Sequence, residues 1–165
     1  MGPASRCIGN TVSKSQPWQL PLLPTATPHS ALRDFNTIRD DVITILNQDA
    51  NYVGKFARLA WRCISTFRSS DFVGGCNGAR IRFSPQKGWQ AKKNLDKVLN
   101  VLNPVKEKFG PSLSWSDLIV FAGNIAIESA GGLPMRLCDG RIDAEDEDNW
   151  RSERNTSSTK RLYQA

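Results

Sequence analysis

From Ser30 onward the chain repeats apolar residues at spacings of three and four. Leu32, Phe35, Ile38, Val42 and Leu46 fall on one stripe, which predicts a first helix with Ser30 as its N-cap. A second helix is expected from about Tyr52 to Thr66, burying Val53, Phe56, Leu59, Ala60 and Cys63. Arg58 and Arg62, four residues apart, share another face of it. A third, from about Gln90 to Phe109, turns Leu95, Val98, Leu99, Leu102 and Val105 inward, and Pro104 is expected to bend or end its last part. The fourth opens at Ser114, which with Asp117 has the spacing of a capping box. It carries Leu118, Ile119, Ala122, Ile125 and Ala126 on one side and stops at Gly131 and Gly132. Between the second and third helices, Phe67 to Trp89 contains Gly74, Gly75, Gly78 and Pro85 and reads as loop with at most short extended pieces. No internal repeat interrupts this pattern, and the fold class it predicts is all-α.

The periodic part is flanked by two segments of different composition. The first 33 residues hold no Asp or Glu, carry Arg6, Lys14 and Arg33, and contain five of the nine prolines. Basic, acid-poor, Ser-containing leaders direct import into organelles, so mitochondrion or chloroplast is the expected destination. A proline-broken arm of this kind buries too little to order itself and is expected to lie along a partner. Myristoylation is not expected, because Pro3 follows Gly2 and Arg6 occupies the Ser/Thr position. After Asp139 the chain becomes acidic (Asp143, Glu145, Asp146, Glu147, Asp148) and then basic and polar, which is tail composition. These acids lack the glycine and glutamate spacing of a calcium loop. The expected organisation is an extended arm over 1–30, one helical domain over 31–138 and a charged tail over 139–165, consistent with 165 residues.

Charge and cysteines narrow the function classes. The net charge of +6 would suit an anionic partner. Yet the cations are dispersed among acids, with no interleaved aromatic platform, so a solvated basic surface is expected and not a nucleic-acid interface. Nothing approaches the ~18 consecutive apolar residues of a membrane span, leaving a soluble chain or one peripheral to a membrane complex. Cys7, Cys63, Cys76 and Cys138 form no C-x-x-C pair, so neither a zinc site nor a redox dithiol is expected. Cys63 reads as a small core residue and the compartment as reducing.

One constellation carries a family signal. Arg58-Leu-Ala-Trp61-Arg62, Ser65-Thr-Phe-Arg68, Ser70-Asp71, Gly74-Gly75-Cys-Asn77-Gly78-Ala-Arg80-Ile-Arg82 and Pro85-Gln-Lys87-Gly-Trp89 together resemble catalase-peroxidases of the class I haem peroxidases, most of all their second, haem-free domain. Asn94-Leu-Asp-Lys97, Pro104-Val-Lys106, Ser114-Trp115-Ser-Asp117-Leu118 and Gly123-Asn124-Ile-Ala-Ile-Glu128-Ser129 are more similar to the haem-binding first domain. Gly140-Arg141-Ile-Asp143-Ala resembles the haem-free one again. The resemblance covers about residues 31–145 and implies the distal helical half of the peroxidase fold.

It also implies where chemistry would sit. In the family pattern R-x-x-W-H, a neutral histidine relays a proton between the two peroxide oxygens and the arginine stabilises charge as their bond breaks. An asparagine in the following Gly-rich loop orients that histidine. Arg58, Trp61 and Asn77 match, but Arg62 stands at the histidine position, and a guanidinium stays protonated. The family's proximal histidine lies well beyond the Gly140 element, and the only histidine of this sequence, His29, falls in the arm. The expectation is therefore a pseudo-peroxidase with no haem, no metal and no catalytic residue, Arg58, Trp61, Arg62 and Asn77 being vestigial. Trp61 would serve core or interface packing and Arg62 a salt bridge or the surface. The corresponding function is a structural or accessory subunit of a larger, organellar, energy-transducing assembly, bound through its arm and its open haem-side face. The alternative is the distal half of a split haem peroxidase whose partner chain supplies the proximal histidine. A third reading is a free, haem-independent binding module.

Overall fold

The computed structural model describes residues 34–68, 74–84, 86–88, 94–137 and 139–144. Four helices dominate: α1 (Phe35–Gln48), α2 (Asn51–Ile64), α3 (Leu95–Phe109) and α4 (Trp115–Ser129). Among the described residues, the only extended pairing is an isolated parallel bridge between Gly78 and Asp143, so the all-α expectation holds. No helix among them is long and apolar enough to cross a membrane.

Burial follows the periodicity. Ile38, Val42 and Leu46 of α1, Phe56, Leu59, Ala60 and Cys63 of α2, and Leu95, Val98, Leu99, Leu102 and Val105 of α3 face one core. Val53 lies at its edge, partly buried. Each large side chain removed from water there contributes about 1.5–3 kcal/mol. α4 is the central element and is buried over much more than one stripe, from Ser116 through Val120 and again at Ala122, Gly123, Ile125 and Ala126. A helix wrapped on several sides must be apolar on several sides. It packs along α2 and also against α1, where Phe35 meets Phe121 edge-on at 5.3 Å and Arg39 donates to Glu128 at 2.7 Å. That guanidinium holds the Glu128 carboxyl below its ordinary range. The α2–α4 crossing is close enough that a Cβ on Gly123 would stand 2.2 Å from the Ala60 Cβ.

Several boundaries differ from those the sequence suggested. α1 is capped by Asp34, whose carboxylate accepts from the Asn36 amide at 2.9 Å and the Thr37 hydroxyl at 2.6 Å; Ser30 and Leu32 lie outside the described residues, as do Trp89 and residues 90–93. Pro104 does not end α3, which continues to Phe109. Proline forfeits one backbone bond, and Leu102 and Val105, buried on either side of it, keep both turns docked. Lys106 then reaches the carbonyl oxygens of Gly110, at 2.8 Å, and Leu113 at the C-terminal end of α3, where a cation suits the helix dipole. α4 ends as expected, with Gly131 at φ 88° and the Gly132 amide donating to the Ile127 carbonyl at 2.9 Å.

The largest departure is at the start of α4. Ser114 does accept from the Asp117 amide at 3.1 Å. The Asp117 side chain, however, does not complete a capping box; it accepts from the backbone amide of Gly140 at 2.8 Å and from the Arg141 guanidinium at 3.0 Å. Both partners of this ion pair are buried, at 0% and 7% side-chain exposure. Asp143 in turn accepts from the amides of Trp115 at 2.8 Å and Ser116 at 3.0 Å, satisfying orphan donors at the helix N-terminus with a negative charge. Ala144 is buried. Residues 139–144 thus belong to the packed domain and not to the tail expected from 139, because an acidic composition here supplies a cap and a buried pair. The arm over 1–33 and the segment 145–165 lie outside the described residues.

Three substitutions test these contacts. Gly123→Val should destabilise the fold by about 3 kcal/mol through overpacking, and Ala60→Gly in the same chain should recover part of that loss, read by denaturant unfolding. Asp117→Ala leaves the buried Arg141 guanidinium without its carboxylate and should cost about 3–5 kcal/mol. A loss under about 1 kcal/mol in the same assay would show that the clamp is dispensable.

Candidate functional site

Because Phe56, Leu59, Ala60 and Cys63 turn inward, α2 must present positions 58, 61 and 62 on other sides. Arg58 is exposed and Arg62 partly buried. Trp61 is 62% exposed, so it is not a core residue of this chain, contrary to one of the two roles expected for it. The chemistry-bearing positions of the helix therefore form a cationic and aromatic face.

The Gly-rich loop that follows is built from left-handed backbone. Gly74, Gly75, Cys76, Gly78 and Ala79 all have φ between 46° and 91°. Gly74 has no alternative, since a Cβ there would lie 2.2 Å from the Thr66 carbonyl oxygen. Its own carbonyl accepts from the Asn77 amide at 3.4 Å. The loop is held from the far side by residues 142–144: the Gly78 amide donates to Ile142 at 2.8 Å and the Ala144 amide to Gly78 at 2.9 Å. Arg82 fastens both strands of this arrangement, donating through Nε to the Ala79 carbonyl at 3.2 Å and through Nη2 to the Ala144 carbonyl at 3.1 Å. It stacks over Phe83 at 4.7 Å and lies 6.0 Å from the Trp115 ring centroid. Burial lowers its pKa, with Asp143 opposing that shift.

Cys63 and Cys76 are joined in a disulfide, their Cα atoms 4.6 Å apart. This corrects the reading of Cys63 as only a small core residue. It is buried as expected, at 3% exposure, but its sulfur forms a covalent link from α2 to the loop.

The structure thus brings three of the four expected positions onto α2 and sets the fourth, Asn77, beside the cross-link: Arg62 precedes Cys63, and Asn77 follows Cys76. Ser70, Asp71, Pro85, Trp89 and His29 lie outside the described residues. Sequence reasoning gave no role to Arg82 or to the Cys63–Cys76 pair. The only available signal was Arg82's place in the Gly78-Ala-Arg-Ile-Arg82 run. A cleft of about 260 Å³ between the loop region and α3, lined by Arg82, Lys87, Asp96, Leu99, Asn100, Asn103 and Trp115, contains none of the four positions.

The residues of α2 bear on haem chemistry at one position: Arg62 stands where the resemblance implies a neutral base, and a guanidinium stays protonated. Among the described residues there is also no group of three His, Cys, Asp or Glu side chains arranged to hold a metal ion.

Comparison with known proteins agrees with the motif reading. A peroxidase family model matches residues 38–164. Catalase-peroxidase from Sphingopyxis alaskensis is 36% identical over 118 residues, 67% of this chain and 16% of the relative. Catalase-peroxidase from Francisella philomiragia is 38% identical over 134 residues, 74% of this chain and 18% of the relative. Catalase-peroxidase 2 from Legionella pneumophila is 40% identical over 119 residues, 67% of this chain and 16% of the relative. The chain thus spans about one sixth of the length of these relatives. Most of α1, the other three helices, the Gly-rich loop and the Gly140–Ala144 clamp fall inside the matched span, and the chain belongs to the peroxidase family, with catalase-peroxidases among its relatives.

Proposed function

We propose that this chain is a non-catalytic, peroxidase-like accessory subunit that binds other proteins through the face of α2 bearing Trp61. The observation that carries this reading is Arg62. A histidine in its place would be a base near neutral pH, whereas arginine stays charged and can only donate. Loss of a positioned general base removes on the order of 10²–10⁴ in rate even where every other group is kept.

The exposed apolar residues support the binding half of the proposal. Trp61 adjoins Ala60 at the point where α2 crosses Gly123 of α4. One residue further on, Asn124 donates to the Met135 carbonyl at 3.5 Å. Trp61, Met135, Ile127 and Leu133 are the large exposed apolar side chains among the described residues. Exposed aromatic and methionine side chains are enriched at protein interfaces. The first 33 residues, with their leader-like composition, fit an organellar assembly as the setting.

The retained Arg58 and Asn77 favour one competing reading, a split haem peroxidase in which a second chain supplies the axial histidine. Absorption and peroxide-driven oxidation of a reporter phenol, measured on the assembly purified through this chain, separate the two. A non-catalytic subunit gives no Soret band and no turnover attributable to this chain, and Arg62→His confers none. A Soret band together with a rise of roughly 10²–10⁴ in turnover on Arg62→His would overturn the proposal in favour of the split enzyme. Sedimentation of the full chain as a stable monomer, with no co-purifying subunit, would overturn the accessory role in favour of a free binding module.

A further inference from the structure

The loop over residues 74–79 is not self-supporting. Cys76 and Ala79 hold φ of 68° and 46°, a region that side chains with a Cβ occupy at a cost. If position 76 needed only to be small, glycine would adopt this backbone freely, as it does at 74, 75 and 78. Cysteine is there despite the cost, and its sulfur is bonded to Cys63 on the buried face of α2. Both half-cystines are 3% exposed, and the Cys76 sulfur also lies 3.8 Å from the Ser116 carbonyl oxygen in the first turn of α4. The cross-link therefore sits where α2, the loop and α4 meet. On its other side the loop is held by hydrogen bonds to residues 142–144. Thus the disulfide is the covalent member of two fastenings, and it fixes the chain immediately after Arg62 and immediately before Asn77.

We propose that the Cys63–Cys76 disulfide is a permanent structural cross-link that holds the left-handed loop onto α2, and that the chain acquires it in a compartment supplying protein disulfides. In its formation the two thiols lose two protons and two electrons to the disulfide of a protein thiol oxidant. The oxidant leaves as a dithiol after a mixed-disulfide intermediate. Burial then closes the bond to small reductants in the folded chain, which makes it a product of maturation and not a switch. The inference does not depend on whether haem or a partner binds, because it rests on the loop backbone and the position of the two sulfurs.

The bond is directly readable. Trypsin cuts after Arg62, Arg68 and Arg80, so Cys63 and Cys76 fall in separate peptides, 63–68 and 69–80. Full-length chain expressed with export to an oxidising compartment, alkylated in denaturant and digested without reductant, should yield these two peptides as one cross-linked mass. Recovery of both as alkylated free thiols would overturn the proposal. A second measurement addresses the structural role, with the wild-type chain in both redox states as its main comparison. The oxidised wild type is compared with wild type expressed in a reducing compartment and kept under reductant throughout, so that the bond never forms. Reduction should shift the unfolding equilibrium by on the order of a hundredfold, as expected for opening a loop of about this length, and should speed amide exchange over 74–79 more than in α1 or α3. Cys63→Ala/Cys76→Ala should match the reduced chain. Equal stability and equal loop exchange in the oxidised and reduced chains would show that the bond is incidental and sink the structural claim.

Discussion

Everything in this domain is arranged around a helix that has almost no free side. α4 approaches α2 so closely at Gly123 and Ala60 that neither position has room for a larger side chain without displacing the other, and it meets α1 through Phe121 and Glu128. A helix buried in this way exposes few routes for satisfying its N-terminal amides, since water is excluded from much of its first turn: Ser116 and Asp117 are fully buried. The remedy has to come from elsewhere in the chain, and it comes from residues 140–143. Asp143 takes the first amides, while Asp117 itself reaches out to Gly140 and Arg141. The burial of α4 and the docking of the 139–144 segment are one requirement seen from two ends.

That coupling explains why the sequence was readable in some places and not in others. The apolar spacing located all four helices, because burial of one face decides each of them: Ile38-Val42-Leu46 and Leu95-Val98-Leu102-Val105 are as legible as stripes as they are as core. Helix ends were less legible where the cap is a side chain close to several candidates, as with Asp34 against Ser30. Asp117 shows the deeper limit. Its distance of three from Ser114 satisfies a local rule, but its side chain is governed by partners 23 and 24 residues away, and no local spacing encodes them. Asp143 fails for the same reason: within an acidic stretch, nothing in the sequence marks one carboxylate as a helix cap and the rest as solvated charge.

The candidate site was legible as a list and illegible as a geometry. Arg58, Trp61, Arg62 and Asn77 were all found from their pattern, and the structure does place three on α2 and the fourth on the adjoining loop. What the pattern did not convey is that Trp61 would stand outward at 62% exposure and that Arg82 would be drawn inward to hold carbonyl oxygens. Two arginines in neighbouring motifs thus have opposite fates: Arg58 is exposed, and Arg82 fixes backbone. Family resemblance identifies the positions, and only the packing around each decides which of these two roles a guanidinium takes.

The cysteines carry the same lesson furthest. With four cysteines and no short pair, spacing alone gives no reason to join Cys63 to Cys76, and the apolar stripe of α2 accounts for Cys63 without any bond. The missing information is the fold of residues 74–79, whose left-handed backbone is aperiodic and therefore invisible to a reading based on repeats. Once that backbone is known, the logic reverses. A non-glycine residue in the left-handed region demands a reason, and its neighbour across a 4.6 Å Cα separation supplies one. Here a strained backbone angle is the more informative observation than the count and spacing of thiols, because spacing constrains only what local sequence can reach while the backbone records what the whole chain has been folded to hold.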